Sequence, residues 1–366
     1  MIRVLQVVNI MDRAGLENML MNYYRNIDRT QIQFDFLTHR PQRGAYDDEI
    51  EAYGGRIYRA PRLLPQNYLK YFKWMKQFFS AHPEYNIVHS HIDAMSFFPL
   101  WAAKMNDVPI RIAHSHSSKL DKDLKLPIKF VALKNIPRVA NLNCACGKKA
   151  GEFMFPKQQF QVIHNAIDTE RYERNELVRN KKRSELGIDN EFVVGHVGRY
   201  CYIKNQMFLI DIFVEVLKKN PRSLLMLVGS GEDEEKIKTK AKSLGVLKKI
   251  LFLKDRDDVN ELYQVMDCFV LPSLFEGLPL VGVEAQVAGL RCVVSDRVSN
   301  EVKLTDNLEL LPLDAGASIW ADRICTHTDT HKVNNELFAS LGYDIKTEAI
   351  KLERLYKKIG AERDKL

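Results

Sequence analysis

Two α/β domains, each built on a parallel sheet, are the architecture this sequence predicts, and three observations predict it. The chain has 366 residues, too many for one ordinary core, so two domains of roughly 150 to 200 residues are the natural division. Short apolar runs alternate with amphipathic segments of helical period, the pattern of parallel strands joined by crossover helices. The opening run, Met1 to Val8, feeds a small-residue turn and then a helix, which is how a nucleotide-type domain begins.

Composition narrows the class. Hydrophobic residues make up 46% and charged residues 28%, a globular balance. No apolar run approaches the roughly 20 residues that span a bilayer, and no signal-peptide pattern opens the chain, so a cytoplasmic protein is expected. Six cysteines do not suggest a disulfide framework, and Cys144-Ala145-Cys146 lacks the second pair of a zinc site. The net charge of +7 suits polyphosphate substrates or an anionic membrane surface; no nucleic-acid-binding module accompanies it.

The first domain reads in order as follows. After the opening strand come the loop Asp12 to Gly15 and a helix from Leu16 to about Ile27. Gln33 to Thr38 is a strand, Tyr46 to Tyr53 a short helix, Arg56 to Ala60 a strand and Tyr68 to Ala81 a longer helix. Asn86 to Ser90 is a strand closed by His89 and His91, and a helix follows over Ala94 to Met105. Strand Ile110 to Ala113 delivers His114-Ser115-His116-Ser117 to its end, so neighbouring strands offer histidines on one edge. A metal site there lacks a carboxylate cluster of recognisable spacing, and none is expected. Residues 119 to 149 carry eight Lys or Arg and two acids among apolar positions, a solvated helix face or a surface for anionic lipid. Asn141 to Cys146 is a strand, Lys148 to Phe155 a helix and Gln161 to Ile163 the last strand. The charged run Glu170 to Glu185 reads as the link.

In the second domain Phe192 to Val197 is a strand ending in Gly198-Arg199, with Lys204 just before a helix over Gln206 to Lys218. Two cations past a strand end can hold a diphosphate through charge-assisted hydrogen bonds. Strand Leu224 to Val228 runs into Gly229-Ser230-Gly231, a turn that would let a ligand lie close to the backbone. Leu251 to Leu253 is a strand, and Asp255 to Val259, including Arg256, reads as the cap of the next helix. The stretch Asp267 to Asp296 then gives strand Cys268 to Leu271, a loop, a helix with Pro279 in its first turn that closes at Gly289, and strand Arg291 to Ser295. It sets Glu276 on the loop at the strand end, beside the N–H groups of Gly277 and Leu278, with Glu284 eight positions on along the helix. In open parallel sheets ligands settle at such carboxyl ends. Helices over Ala317 to Cys325, Asn334 to Leu341 and Ile345 to Ile359 close the chain.

This stretch resembles the E-x7-E signature of retaining glycosyltransferases of family 4, whose GT-B fold sets two Rossmann-like domains facing a central cleft, with a last helix crossing back to the first. The resemblance is carried by Phe275-Glu276-Gly277-Leu278-Pro279, is firm from Gly198 to Ser295, and is looser before Asn165. It implies an acceptor domain over 1–165, a nucleotide-sugar donor domain over 166–343 and a crossover helix over 344–366. It further implies that Glu276 stands near the donor sugar's hydroxyls, with Gly277, Leu278, Pro279 and Leu280 in the same donor loop, and that Glu284 binds the ribose. Gly198, Arg199 and Lys204 then hold the diphosphate, Gly229 and Gly231 lie against the nucleotide, and the loop with Arg256 holds the base. Gly15 approaches the donor phosphates, although Ala14 and Lys254 replace glycines that relatives carry. His116 matches the histidine beside the donor sugar, with His114 the alternative.

The function so implied is retaining transfer of a sugar, UDP-linked, to a hydroxyl of a glycan or lipid-linked acceptor in bacterial surface polysaccharide synthesis. Glu276, His116, Arg199 and Lys204 are the catalytic candidates, with no metal or other cofactor. A nucleotide-sugar epimerase of the same fold and a catalytically silent glycan-binding partner subunit are the alternatives.

Overall fold

The computed structural model describes residues 1–120, 124–254, 256–326 and 334–362. The chain forms two compact units, Met1–Ile167 together with Asp344–Leu366, and Asp168–Tyr343. In the first unit the elements run β1 Ile2–Val7, α1 Gly15–Asn26, β2 Ile32–Thr38, α2 Asp47–Ala52, β3 Ile57–Arg59, α3 Tyr68–Ala81, β4 Ile87–Ser90, α4 Phe97–Met105, β5 Ile110–Ser115, α5 Leu126–Asn135, β6 Leu142–Ala145, α6 Lys148–Met154 and β7 Gln161–Val162. The second unit follows with α7 Thr169–Tyr172, α8 Glu176–Glu185, β8 Phe192–Val197, α9 Gln206–Lys219, β9 Ser223–Val228, α10 Glu234–Ser243, β10 Ile250–Leu253, α11 Val259–Val265, β11 Cys268–Leu271, α12 Leu280–Val287, β12 Arg291–Ser295, β13 Leu308–Leu311, α13 Ala317–Cys325 and α14 Asn335–Ser340. The last helix, α15 Ile345–Ala361, belongs to the first unit.

Both sheets are parallel, in the orders β3-β2-β1-β4-β5-β6-β7 and β10-β9-β8-β11-β12-β13. Helices cover both faces, which is why the strands are rich in apolar residues: Val4, Leu5 and Val7 of β1 and Phe269, Val270 and Leu271 of β11 are all fully buried, with the polar Gln6 buried among them. Each sheet reverses its order beside its first strand, between β1 and β4 and between β8 and β11. At such a switch point the loops diverge and leave a crevice for a ligand.

The last helix returns because one of its faces is apolar. Ile345, Ala349, Leu352, Tyr356 and Ile359 share a buried core with Met19, Leu20 and Tyr23 of α1, the isoleucines and the leucine each stabilising by about 1.5–3 kcal/mol. Asp344 caps it, accepting from the Thr347 N–H at 3.0 Å, and the Ile345 N–H donates to Ile167 O at 2.9 Å.

Several local expectations are corrected. The run Glu170 to Glu185 is no linker: it folds as α7 and α8 on the second unit, because its cations have carbonyls to meet. Arg179 Nη1 donates to the carbonyls of Gln264, Val265 and Met266 at 2.7–3.0 Å and Arg183 Nη1 to Val265 O at 2.9 Å, satisfying the end of α11. The helix expected from Ala94 begins as a 3-10 turn at Asp93–Ser96, where Asp93 takes a φ of 46°. Pro279 sits one position before α12 with an extended ψ of 116°, outside the first turn. β13 was not anticipated; its Glu309 is held by Arg291 and Arg323, which hides the apolar pattern. Asp255 and residues 121–123 of the basic segment lie outside the described residues.

Glu17, on the first turn of α1, is buried, and desolvation pushes its carboxyl up to about 7 from an ordinary 4.5. A carboxyl raised in the folded state adds stability that is complete below the unfolded value and is lost as pH climbs through the folded one. Glu17→Gln is therefore expected to stabilise the chain by about 2–3 kcal/mol at pH near 8 and by little near pH 4.5. Melting curves of both chains across that range check it; a pH-independent difference would refute it.

Candidate active site

At the switch point of the second unit the loops that leave β8 and β11 are laced together. The Leu274 N–H donates to Ile203 O at 2.8 Å, and Asn205, in the left-handed region with a φ of 56°, donates its side-chain amide to Pro272 O at 3.1 Å. Pro272 ends the strand, and the lacing brings Lys204 to Glu276: Nζ and Oε2 lie 2.7 Å apart, with 18% and 14% of the side chains exposed. Ser273 Oγ donates to the other carboxylate oxygen of Glu276. A cation and a carboxylate that sheltered compensate each other's charge, and removing either leaves the other charge uncompensated.

Glu284 stands on α12 with both oxygens engaged. Tyr172 Oη donates to Oε1 at 3.1 Å and Tyr263 Oη to Oε2 at 2.9 Å. Burial raises the carboxyl, and the two hydroxyls pull it back toward ionisation. A carboxylate accepts about four hydrogen bonds, so two acceptor positions remain beyond the tyrosines, enough for a vicinal diol. The tyrosines were not singled out from the sequence; Tyr172 precedes Glu284 by 112 positions and no local spacing links them.

The other expected residues divide. Arg199 is 72% exposed and pairs with Glu232 at 3.0 Å, a solvent-screened contact that yields readily to a stronger anion. Its carbonyl is fixed by Gln206 Nε2 at 2.8 Å. Gly198 follows β8 directly. Gly229 and Gly231 are closely packed on the side where a Cβ would stand. Added Cβ atoms would lie 2.3 Å from Gly198 O and 2.3 Å from Tyr200 O, so these glycines let two loops of the protein press together. Arg256 is taken by Asp258, with Nε 2.7 Å from Oδ1, and Asp258 also binds Lys182 at 2.9 Å. That cluster depresses the Asp258 carboxyl to about 2. Asp258 precedes α11 without capping it through its side chain.

In the first unit Gly15 opens α1 and a Cβ there would meet nothing within 4 Å. β5 runs two residues further than expected, so His114 lies in the strand, fully buried, while His116 stands just beyond its end, partly exposed. Asp93, missed by the sequence reading, fixes this end: Oδ1 accepts the His116 N–H at 2.7 Å and Oδ2 the Ser117 hydroxyl at 3.0 Å. Ligand nitrogens of His89, His91 and His114 lie within 4.8 Å of one another, a spacing open to a metal ion. Both nitrogens of His89 and of His91 are already hydrogen-bonded at 2.7–3.1 Å, so an ion would have to displace those bonds.

Two parallel α/β sheets, the second with a sheltered ion pair at its switch point, make a two-domain ligand-binding architecture, and the comparisons give its class. Residues 178–309 match the glycosyl transferases group 1 family and residues 13–171 match glycosyltransferase family 4. EpsF of Bacillus subtilis strain 168, assigned as a glycosyltransferase, is 33% identical over 99% of this chain and 98% of its own length. The UDP-Gal:alpha-D-GlcNAc-diphosphoundecaprenol alpha-1,3-galactosyltransferase of Escherichia coli is 29% identical over 58% of each chain. Anabaena HepE, solved with UDP-glucose, superposes over the whole of both chains with a TM-score of 0.75 at 20% identity. The chain belongs to glycosyltransferase family 4. It is a hexosyltransferase with the GT-B fold.

Proposed function

We propose that the protein transfers a hexose from a UDP-sugar, with retention at the anomeric carbon, to a hydroxyl of a lipid-linked glycan during surface polysaccharide synthesis, without a metal ion. The observation that carries this is the Lys204–Glu276 pair at the β8/β11 switch point. Breaking a sugar–diphosphate bond places growing negative charge on the diphosphate and positive charge on the sugar. Lys204 would exchange Glu276 for the diphosphate and, with Arg199, stabilise the leaving group; Glu276, so released, would meet the sugar's hydroxyls as the ring gains charge. Glu284 would hold the ribose, and His116 would accept from a sugar hydroxyl. Stabilising the leaving group this way lets the acceptor attack from the face it vacates, so no protein nucleophile is required. The donor nucleotide is supported by the UDP-Gal specificity in the E. coli relative's name and by UDP-glucose in HepE. The lipid-linked acceptor is supported by the diphosphoundecaprenol substrate in that relative's name.

A membrane surface suits the same reading. Leu124, Phe130 and Val131 of the basic segment are 102%, 52% and 61% exposed, and Trp101 and Met105 of α4 are exposed as well. A surface pocket of about 440 Å³ between these helices has Phe97, Trp101 and Met105 in its wall and Lys104 and Arg138 at its side. Apolar side chains among cations fit an anionic bilayer. Among the described residues no helix is long and apolar enough to cross a membrane, so the association proposed is peripheral.

Melting curves over a panel of UDP-sugars test the donor, because a ligand that binds only the folded state raises the transition. At 100 times its Kd the true donor is expected to add about 2.7 kcal/mol, and a panel without effect would overturn the reading. Turnover is expected to survive strong chelation; loss restored by Mg²⁺ or Mn²⁺ would remove the metal-free mechanism.

A further inference from the structure

The four histidines at the ends of β4 and β5 are not a loose cluster but two hydrogen-bonded strings with a common root. Gln6, fully buried on β1, donates its amide N–H to Tyr356 Oη at 3.2 Å, and its amide oxygen lies 2.8 Å from His91 Nε2. An amide oxygen can only accept, so His91 carries its proton on Nε2. Desolvation pushes the pKa values of all four imidazoles down, which favours their uncharged forms near neutral pH, although His116 is only half-buried. His91 Nδ1 is then a lone pair, and His116 Nε2, 3.0 Å away, must donate to it. His116 Nδ1 is left unprotonated, and no hydrogen bond to it is found among the described residues.

The second string starts from the same amide. Tyr356 Oη accepts from Gln6 and sends its own proton to His89 Nδ1 at 2.7 Å; His89 Nε2 donates to His114 Nδ1 at 3.1 Å. His114 then ends the string with its proton on Nε2, a buried atom that has no partner. One string therefore ends on a bare acceptor and the other on an N–H. The rings that end them stack with centroids 4.1 Å apart, so neither can turn over without disturbing the other. Asp93 holds the backbone of His116 rather than its ring.

We propose that Gln6 is a positioning residue that sets the tautomer of His116 through His91, so that His116 offers Nδ1 as an uncharged hydrogen-bond acceptor, and that Tyr356, delivered by the returning α15, sets His114 in the same way. The functional part rests on the reading that His116 accepts from a sugar hydroxyl. A cation or an N–H at that position would not accept such a bond. Tyr356 gives the last helix a task besides packing: it closes the network that orients the histidines.

Long-range ¹H–¹⁵N correlation spectra of the full chain labelled at histidine test this directly, with His116→Gln and His114→Gln identifying the signals. His116 and His114 are both expected as single Nε2–H tautomers at neutral pH. Gln6→Met, which removes both bonds, is expected to convert the His116 pattern to a mixture. Gln6→Glu, ionised, presents only acceptor oxygens to His91 and is expected to preserve it. Tyr356→Phe is expected to alter His114 and leave His116 as it was, which a general loosening of the fold would not do. A protonated or Nδ1–H His116 in the unaltered chain overturns the inference, and so does a His116 pattern indifferent to Gln6→Met. Calorimetric titration of the same samples with UDP keeps the two questions apart. Failure of the unaltered chain to bind UDP would sink the nucleotide-sugar reading and leave the tautomer result standing, whereas UDP binding with the wrong tautomer would sink this inference alone.

Discussion

Glu276→Gln is expected to leave UDP affinity intact or slightly tighter while turnover falls by roughly two to three orders of magnitude. Glu276 pairs with Lys204 at 2.7 Å, so in the unliganded protein it competes with the diphosphate for that cation. Glutamine keeps the size and the acceptor for Ser273 but removes the charge, which frees Lys204 for the nucleotide. Turnover responds differently because the interaction of a carboxylate with the sugar strengthens as the ring becomes cationic. An interaction made mainly in the transition state lowers kcat and kcat/KM together when it is removed. Deleting one preorganised electrostatic contact of this kind costs about 2.7–4 kcal/mol, which sets the size of the loss. Steady-state rates with the donor found by the melting panel, beside calorimetric UDP titrations, make the measurement. Turnover within about threefold of the unaltered chain would remove Glu276 from the chemistry.

What could be read from the sequence follows the range over which each signal acts. Strands buried on both faces announce themselves locally, as in Cys268–Leu271 and Arg291–Ser295, whose limits the structure reproduces. Lys204 and Glu276 were each legible as strand-end residues, but their pairing follows from the β8–β11 adjacency that only the structure shows. Side chains satisfied from far away left no such mark. The polar run that forms α8 looks like a linker until Arg179 and Arg183 are seen to cap α11. Arg256 reads as part of a helix cap and base-holding loop, and nothing local shows that Asp258, which also binds the distant Lys182, takes its guanidinium. Gly229 and Gly231 suggest a ligand approaching the backbone, and no local pattern shows that they also let another loop of the same unit press close. The histidines were visible as a repeat of two, but Gln6 and Tyr356, 350 positions apart, acquire meaning only when the last helix returns.

Glu284→Ala is expected to weaken binding of UDP and of the UDP-sugar alike, by roughly ten- to hundredfold, since hydrogen bonds to a charged group are worth about 1.5–3 kcal/mol. Both ligands carry the ribose, so the loss should not depend on the sugar. Alanine has a second consequence, because it takes the carboxylate from the hydroxyls of Tyr172 and Tyr263; Tyr263 Oη keeps the Val281 carbonyl at 3.2 Å, so the loss falls mainly on Tyr172. Unsatisfied buried donors cost about 1–3 kcal/mol, and the melting temperature should fall as well. Two further variants separate the effects. Tyr263→Phe removes one donor while sparing the carboxylate, so it should disturb stability more than UDP affinity. Glu284→Gln retains one acceptor oxygen for the tyrosines but loses the charge and half of the sites for a diol, so UDP binding should weaken with little loss of stability. Titrating all three with UDP, together with Glu276→Gln, places the division of labour between the two glutamates in a single comparison. If Glu284→Ala and Glu276→Gln lost UDP affinity equally, the ribose and sugar roles could not be assigned to separate carboxylates.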